Sequence, residues 1–204
     1  MRERLIETAI RQFGELGFDG ASTREIAAAS GTTMSNITYH FGSKDGLFRA
    51  AGEAIVSQMG QVVSRAPAIP LSDNATNCER LDLICNILRH LGAFMLSDDA
   101  APLAQFVARE QQNSCSHMRE LLRRELDPVV TVVAHEIGQL RHGLSSEQCQ
   151  ATVFFLLGMT VSLRSSRLSL CVLMDVEDVN QALADKMLDR LDGMVRGAIM
   201  GDEA

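Results

Sequence analysis

Residues 22–48, STREIAAASGTTMSNITYHFGSKDGLF, decide the fold. Ser22-Thr23-Arg24-Glu25 has the form of a capping box. Its hydroxyl can accept from the opening turn of a helix while its carboxylate reaches back to the first amide. A short helix over 23–30 follows, burying Ile26 and Ala27, and Gly31 ends it. Behind Thr33 a second short helix runs over 34–40. Two short helices joined by a glycine-containing turn form the helix-turn-helix pattern, whose second helix enters the major groove of DNA. Phe41-Gly42-Ser43 makes the next turn, and Ser43 caps a longer helix from Lys44, with Leu47, Phe48, Ala51, Ile55, Met59 and Val62 on its buried face. Pro67 and Pro70 stop that helix, and residues 66–76 read as a loop.

Working outward, residues 2–16 form an amphipathic helix through Leu5, Ile6, Ala9, Ile10 and Phe13, closed by Gly17 and Phe18. Downstream, helical periodicity continues over 77–96 and over 99–111, the latter with Pro102 in its first turn. A long helix over 116–141 contains Pro128, which is expected to kink or break it. Ser145-Ser146-Glu147-Gln148 is a second capping box, opening a helix to about residue 167, and a last helix covers 177–200. No segment alternates with the period of a strand. The expected fold is all-α: an N-terminal three-helix helix-turn-helix domain over 1–48, then a larger helical ligand-binding and dimerisation domain over 49–204.

The helix over 146–167 is apolar almost all round from Ala151 to Leu163, more than its own chain's surface helices would cover. The last two helices, about 146–167 and 177–200, are therefore expected to pair with those of a second copy in a four-helix seam. An ordinary monomer core is the alternative. The dimer is favoured because one helix-turn-helix contacts too little DNA to be specific.

Composition bounds the function. The chain has 204 residues, 46% of them hydrophobic, enough for a real core. Its net charge of −7 excludes binding DNA as a polycation. Residues 1–50 balance six basic against six acidic side chains, so the remainder holds the whole excess, 13 basic against 20 acidic. A neutral reading head must act through a few well-placed charges and helix ends. Five cysteines without a CxxC, and no leader-like segment, point to a reduced cytoplasmic compartment. The longest apolar stretch, residues 153–161, is too short to cross a bilayer, so no membrane partner is expected.

Ser22-Thr23-Arg24-Glu25-Ile26-Ala27, Ala29-Ser30-Gly31 and the run from Asn36 through Tyr39, His40, Phe41 and Lys44 to Phe48 resemble the TetR/AcrR family over about the first 50 residues. Thr38 departs from the aromatic residue frequent at its place, and Ser30 from a common alanine, changes that bear on operator contacts. Gln105-Phe106-Val107-Ala108-Arg109-Glu110-Gln111 and Leu126-Asp127-Pro128-Val129 resemble the CecR-like branch. The resemblance implies a transcription regulator and not an enzyme. It implies a ligand-responsive repressor that binds a palindromic operator as a homodimer, takes a small-molecule effector and needs no cofactor. An activator, or a regulator answering to a partner protein, is the alternative within the same fold.

Candidate DNA contacts follow from chemistry. Asn36 can pair with adenine edges, while Ser35 and Thr38 can meet bases or the thymine methyl. Thr23, Arg24 and Thr33 stand at helix N-termini, where backbone amides already attract phosphate. Tyr39, His40 and Lys44 match family positions that contact the DNA backbone. The candidate effector pocket draws apolar walls from Phe94, Phe106, Met118, Leu122 and Phe155, and polar contacts from Arg109, Glu110 and His117. Plain core packing competes with this for every apolar member, and a structural ion pair or solvated turn competes for Arg109 and Glu110.

Other function classes find little support. His135-Glu136 begins a zinc-protease-like HExxH, but Gln139 stands where the second histidine is needed, and no metal site is expected. Cys78 and Cys85, two helical turns or roughly 10 Å apart, are too distant for a redox disulfide within one helix.

Overall fold

A computed structural model describes residues 1–64, 70–113 and 116–201, excluding the side chains of residues 59, 62–64, 110–113, 116–119, 121, 122 and 125. Among the described residues the secondary structure is helical throughout: α1 (Arg2–Gly20), α2 (Thr23–Ala29), α3 (Met34–Phe41), α4 (Lys44–Ser64), α5 (Asn77–Leu96), α6 (Ala100–Asn113), α7 (Ser116–Leu140), α8 (Ser146–Ser165), α9 (Arg167–Met174) and α10 (Gln181–Met200). The all-α reading holds.

The helices form two compact units, and neither is one contiguous stretch of chain. The first joins Met1–Gly60 to Ala101–Glu125, and the second joins Gln61–Ala100 to Leu126–Ala204. A division at residue 48 would leave α6 with the C-terminal helices, whereas its packing assigns it to the first unit.

Four aromatic rings pack together in the first unit's core, among buried aliphatic side chains such as Leu5, Ile26 and Leu47. Phe48 of α4 lies with its ring centroid 5.1 Å from each of Phe13, Phe18 and Phe106. α6 can approach α1 closely because Gly14 has no side chain. A Cβ there would stand 3.4 Å from the Phe106 amide nitrogen and the Pro102 carbonyl oxygen. Gly17 breaks the helical path as expected, with φ 77° and ψ 173°, and a further turn of α1 runs on from that kink to Gly20. That positive φ is cheap only for glycine. The vacant face of Gly17 takes the guanidinium of Arg109, whose Nη2 donates to the Glu15 carbonyl at 3.2 Å.

The second unit is built around α5. Ile84, Ile87, Leu88 and Leu91 pack with Val133 and Ile137 of α7, Val153 and Leu156 of α8, and Leu191, Val195 and Ile199 of α10. A buried ion pair crosses this core, Arg80 Nη1 to Glu136 Oε2 at 2.5 Å. Its remaining valences tie down the loop before α5. Arg80 Nη2 donates to the Ser72 and Asp73 carbonyls, and the Leu71 amide donates to Glu136 Oε1. Arginines also close helix ends. Arg164 donates to the Met95 and Ser97 carbonyls at the end of α5, and Arg141 to the Ile199 carbonyl at the end of α10.

Cap chemistry was partly legible. Ser145 and Gln148 form the expected box, with bonds of 3.2 and 2.8 Å. Thr76 and Glu79 form another, at the start of α5. Ser22 and Thr33 hold the N-cap positions of α2 and α3, but neither side chain bonds its helix, so the box expected at Ser22 is not made. Ser145→Ala is expected to lower stability by about 1 kcal/mol, read as a shifted urea midpoint at constant slope.

Two boundaries differ from expectation. Pro128 lies inside α7, which continues through it. Residues 168–174, expected to lie between helices, form most of α9. Met59, Val62, Pro67 and Cys115 lie outside the described residues or side chains.

Candidate nucleic-acid interface

The turn between α2 and α3 depends on Gly31, at φ 67°. Buried Ile26 and Ala27 anchor α2, and buried Ile37 anchors α3. Buried Ser30 donates to the Arg4 carbonyl at 3.5 Å, tying the turn to α1. With one side of α3 held this way, Ser35, Thr38, Tyr39 and His40 are left exposed on the other.

Tyr39 is 83% exposed, and its described ring contact is with its neighbour His40, at 5.0 Å. A large aromatic side chain so placed adds little to the core and is free to meet a partner. Thr38 donates to the Met34 carbonyl at 3.3 Å. Asn36 is half-buried and donates from Nδ2 to Thr32 Oγ1 at 2.6 Å, so bidentate adenine recognition requires a rotamer change. Arg24 and Thr33 are exposed beside the starts of α2 and α3, while Thr23 is half-buried. Lys44 Nζ lies 4.8 Å over the Phe18 ring and donates to the Asp19 carbonyl at 3.4 Å. To reach a phosphate it must exchange that neutral acceptor for a charged one, a favourable trade for an ammonium.

The candidate pocket residues fare differently. Phe106 is core in the first unit, stacked on Phe48, and Arg109 of that unit is exposed with its bond to Glu15. Phe94 is half-buried against the second unit's core. Phe155 must be corrected: it is 68% exposed and lines no interior wall, because α8 is apolar on its outward face as well. The side chains of Glu110, His117, Met118 and Leu122 lie outside those described. The second unit carries instead an open groove of about 630 Å³, lined by Asp127, Thr131 and His135 of α7 and Ser146, Cys149 and Gln150 of α8. Its signal in the sequence is the polar row 127, 131, 135, spaced by four on one helix face.

The chemistry of other classes is answered locally. Glu136 is consumed by Arg80 inside the core while His135 borders the groove, so the two do not act on one metal. Among the described residues no group of three ligands could hold a metal ion. Cys85 is buried, and burial pushes its thiol up to about 11, with the Asp192 carboxylate adding to the shift. A thiol reagent at pH 8 is therefore expected to label exposed Cys78 and to spare Cys85 until the chain is unfolded, as peptide mapping of the labelled protein would show. Labelling of Cys85 in the folded protein would revive a redox role.

Comparison with known proteins agrees with this geometry. Residues 5–51 match the family described as bacterial regulatory proteins, tetR family. The chain is 37% identical over 117 residues to the HTH-type transcriptional dual regulator CecR of Shigella flexneri, across 54% of this chain and 51% of that one. It is 38% identical over 63 residues to the HTH-type transcriptional repressor AcnR of Corynebacterium glutamicum, covering 31% and 34%. The matched region thus spans about half of CecR's length and a third of AcnR's. In fold it resembles the crystal structure of AibR in complex with isovaleryl coenzyme A and operator DNA, at a TM-score of 0.67 and 17% identity over 95% of this chain and 96% of the other. Residues 5–51 thus carry the helix-turn-helix segment described for the tetR family of bacterial regulatory proteins.

Proposed function

We propose that the chain is a ligand-responsive repressor that binds a palindromic operator as a homodimer. The observation that carries this is the exposed face of α3: Ser35, Thr38, Tyr39 and His40 are exposed while Ile37 fixes the helix from behind. Residues 1–48 read the DNA, supported by the part of α6 that packs in the same unit. Ser35, Asn36 and Thr38 specify bases. Thr23, Arg24, Thr33, Tyr39, His40 and Lys44 fix the register on the backbone.

Dimerisation through α8 and α10 is supported by their outward faces. Phe154, Phe155 and Val161 of α8 and Met194 of α10 are exposed. Gly158, Gly193 and Gly197 on the same helices have open space where a Cβ would stand, which suits close helix approach. Two reading heads then fit half-sites about one DNA turn apart, roughly 34–36 Å. A small-molecule effector acts by preferring one of two dimer states, typically by about 1–3 kcal/mol. AibR's structure, with an acyl-CoA and operator DNA, offers a precedent for such a pairing of ligands.

The test is fluorescence anisotropy with DNA from upstream of the protein's own gene, followed by selection from random sequence. Tyr39→Ala is expected to weaken binding about tenfold or more without moving the melting temperature. Lys44→Ala should weaken it similarly on all sequences and reduce the salt slope by about one. Failure to bind either DNA source would overturn the reading.

A further inference from the structure

We infer that Met34, the first residue of α3, reads the 5-methyl group of a thymine, so that an A·T pair lies beneath the start of this helix in each half-site. The inference rests on the operator reading above and deepens it, since it names a base and adds a side chain to those that select it.

Met34 is 51% exposed. On a helix that turns about 100° per residue, it stands beside Thr38 along one edge of the outward face. Ser35 and Tyr39 occupy the middle of that face, and Asn36 and His40 its other edge. Buried Ile37 fixes which way the face is turned. Helix-turn-helix proteins set the N-terminal residues of the second helix against base edges. Met34 and Ser35 hold that place here. The exposed half of Met34 leaves water only when a partner covers it, so that surface contributes to binding and not to folding. Its unbranched thioether chain adapts to an irregular apolar feature and carries no donor that docking would strand.

The make-up of α3 narrows the choice of base. Guanine is most often read by a bidentate arginine or lysine. Residues 34–41 hold neither. Arg24 is on α2, the helix that crosses the backbone in this motif. Adenine is read by an amide side chain, and Asn36 is the one amide on α3. Thr38 already gives its hydroxyl proton to the Met34 carbonyl at 3.3 Å, and it brings a methyl group to the same edge. The edge formed by Met34 and Thr38 is therefore mainly apolar. The apolar feature that the major groove presents is the thymine methyl. Asn36 and Met34 thus suit the two halves of one kind of base pair.

The experiment is fluorescence anisotropy of the full chain on the tightest duplex recovered by selection from random sequence. Symmetry-related thymines of both half-sites are replaced in turn by deoxyuridine, which removes a methyl group and leaves the hydrogen bonds of the pair in place. At one pair of positions wild type should bind the uracil duplex about fourfold more weakly per half-site, or about fifteenfold in all. Met34→Ala should bind the thymine duplex more weakly than wild type, show no difference between thymine and uracil at that pair, and keep its melting temperature. Thr38→Ser, which keeps the hydroxyl and drops a methyl, should retain most of the difference. A wild type that binds tightly but is indifferent to uracil at every position would overturn the inference and leave DNA binding standing. A penalty that survives Met34→Ala at every position, or that Thr38→Ser alone abolishes, would overturn it too. Failure to bind any sequence would remove the inference together with the reading it rests on.

Discussion

Glu136→Ala is expected to destabilise the protein by about 3–5 kcal/mol, a large share of the stability of an ordinary domain. The carboxylate lies wholly inside the second unit, and the Arg80 guanidinium beside it is buried too. Removing the acid leaves an uncompensated cation in the core and an orphaned Leu71 amide. Glu136→Gln should cost nearly as much, because the lost quantity is charge more than shape. The paired change Arg80→Met/Glu136→Leu should recover much of the loss, since two apolar side chains carry no desolvation cost. It cannot recover all of it, because the Ser72 and Asp73 carbonyls still lose their donor. Urea unfolding of the four proteins gives the comparison. A loss under about 1 kcal/mol for Glu136→Ala would mean that water or another group satisfies Arg80.

Phe48→Ala carries the second large effect, about 3–5 kcal/mol. One side chain here meets three others, two of them edge-on and one stacked, and the rings come from α1, α4 and α6. Truncation deletes three aromatic pairs and opens a cavity that the remaining rings, fixed on separate helices, cannot collapse to fill. DNA affinity should fall with the fraction of folded protein and return on cooling or with a stabilising osmolyte, whereas Tyr39→Ala should lose affinity at full stability. Anisotropy measured beside circular dichroism separates the two. Retention of wild-type stability by Phe48→Ala would mean that the aromatic cluster is peripheral to the core.

The helix-turn-helix was readable because each of its signals is local. Gly31 needs a positive φ, Ile26 and Ile37 mark the buried sides, and the spacing between them is fixed by a short turn. The limits of α5 and the box at Ser145 were legible for the same reason. α9 escaped because eight residues span barely two turns, and Leu168, Leu170, Cys171, Val172, Leu173 and Met174 are apolar on nearly every side, so no period emerges. Phe155 was misplaced because, on a helix apolar all round, composition cannot say which face is covered by the chain itself. The role of Arg109 depends on Glu15 and Gly17, more than 90 residues earlier. No window along the sequence contains that pairing.

The divided first unit also bears on how chains of this fold can be recombined. The surface of α1 at Gly14 is shaped by the α6 backbone at Pro102 and Phe106, and Phe48 is covered from the same helix. A chimera that swaps only the N-terminal segment into another relative would inherit a foreign α6 and a mismatched ring at the centre of its new core. Transplanting the proposed DNA specificity therefore means moving two pieces of chain, residues 1–60 and 101–125, as one inheritance unit, or else confining the exchange to the exposed letters of α3.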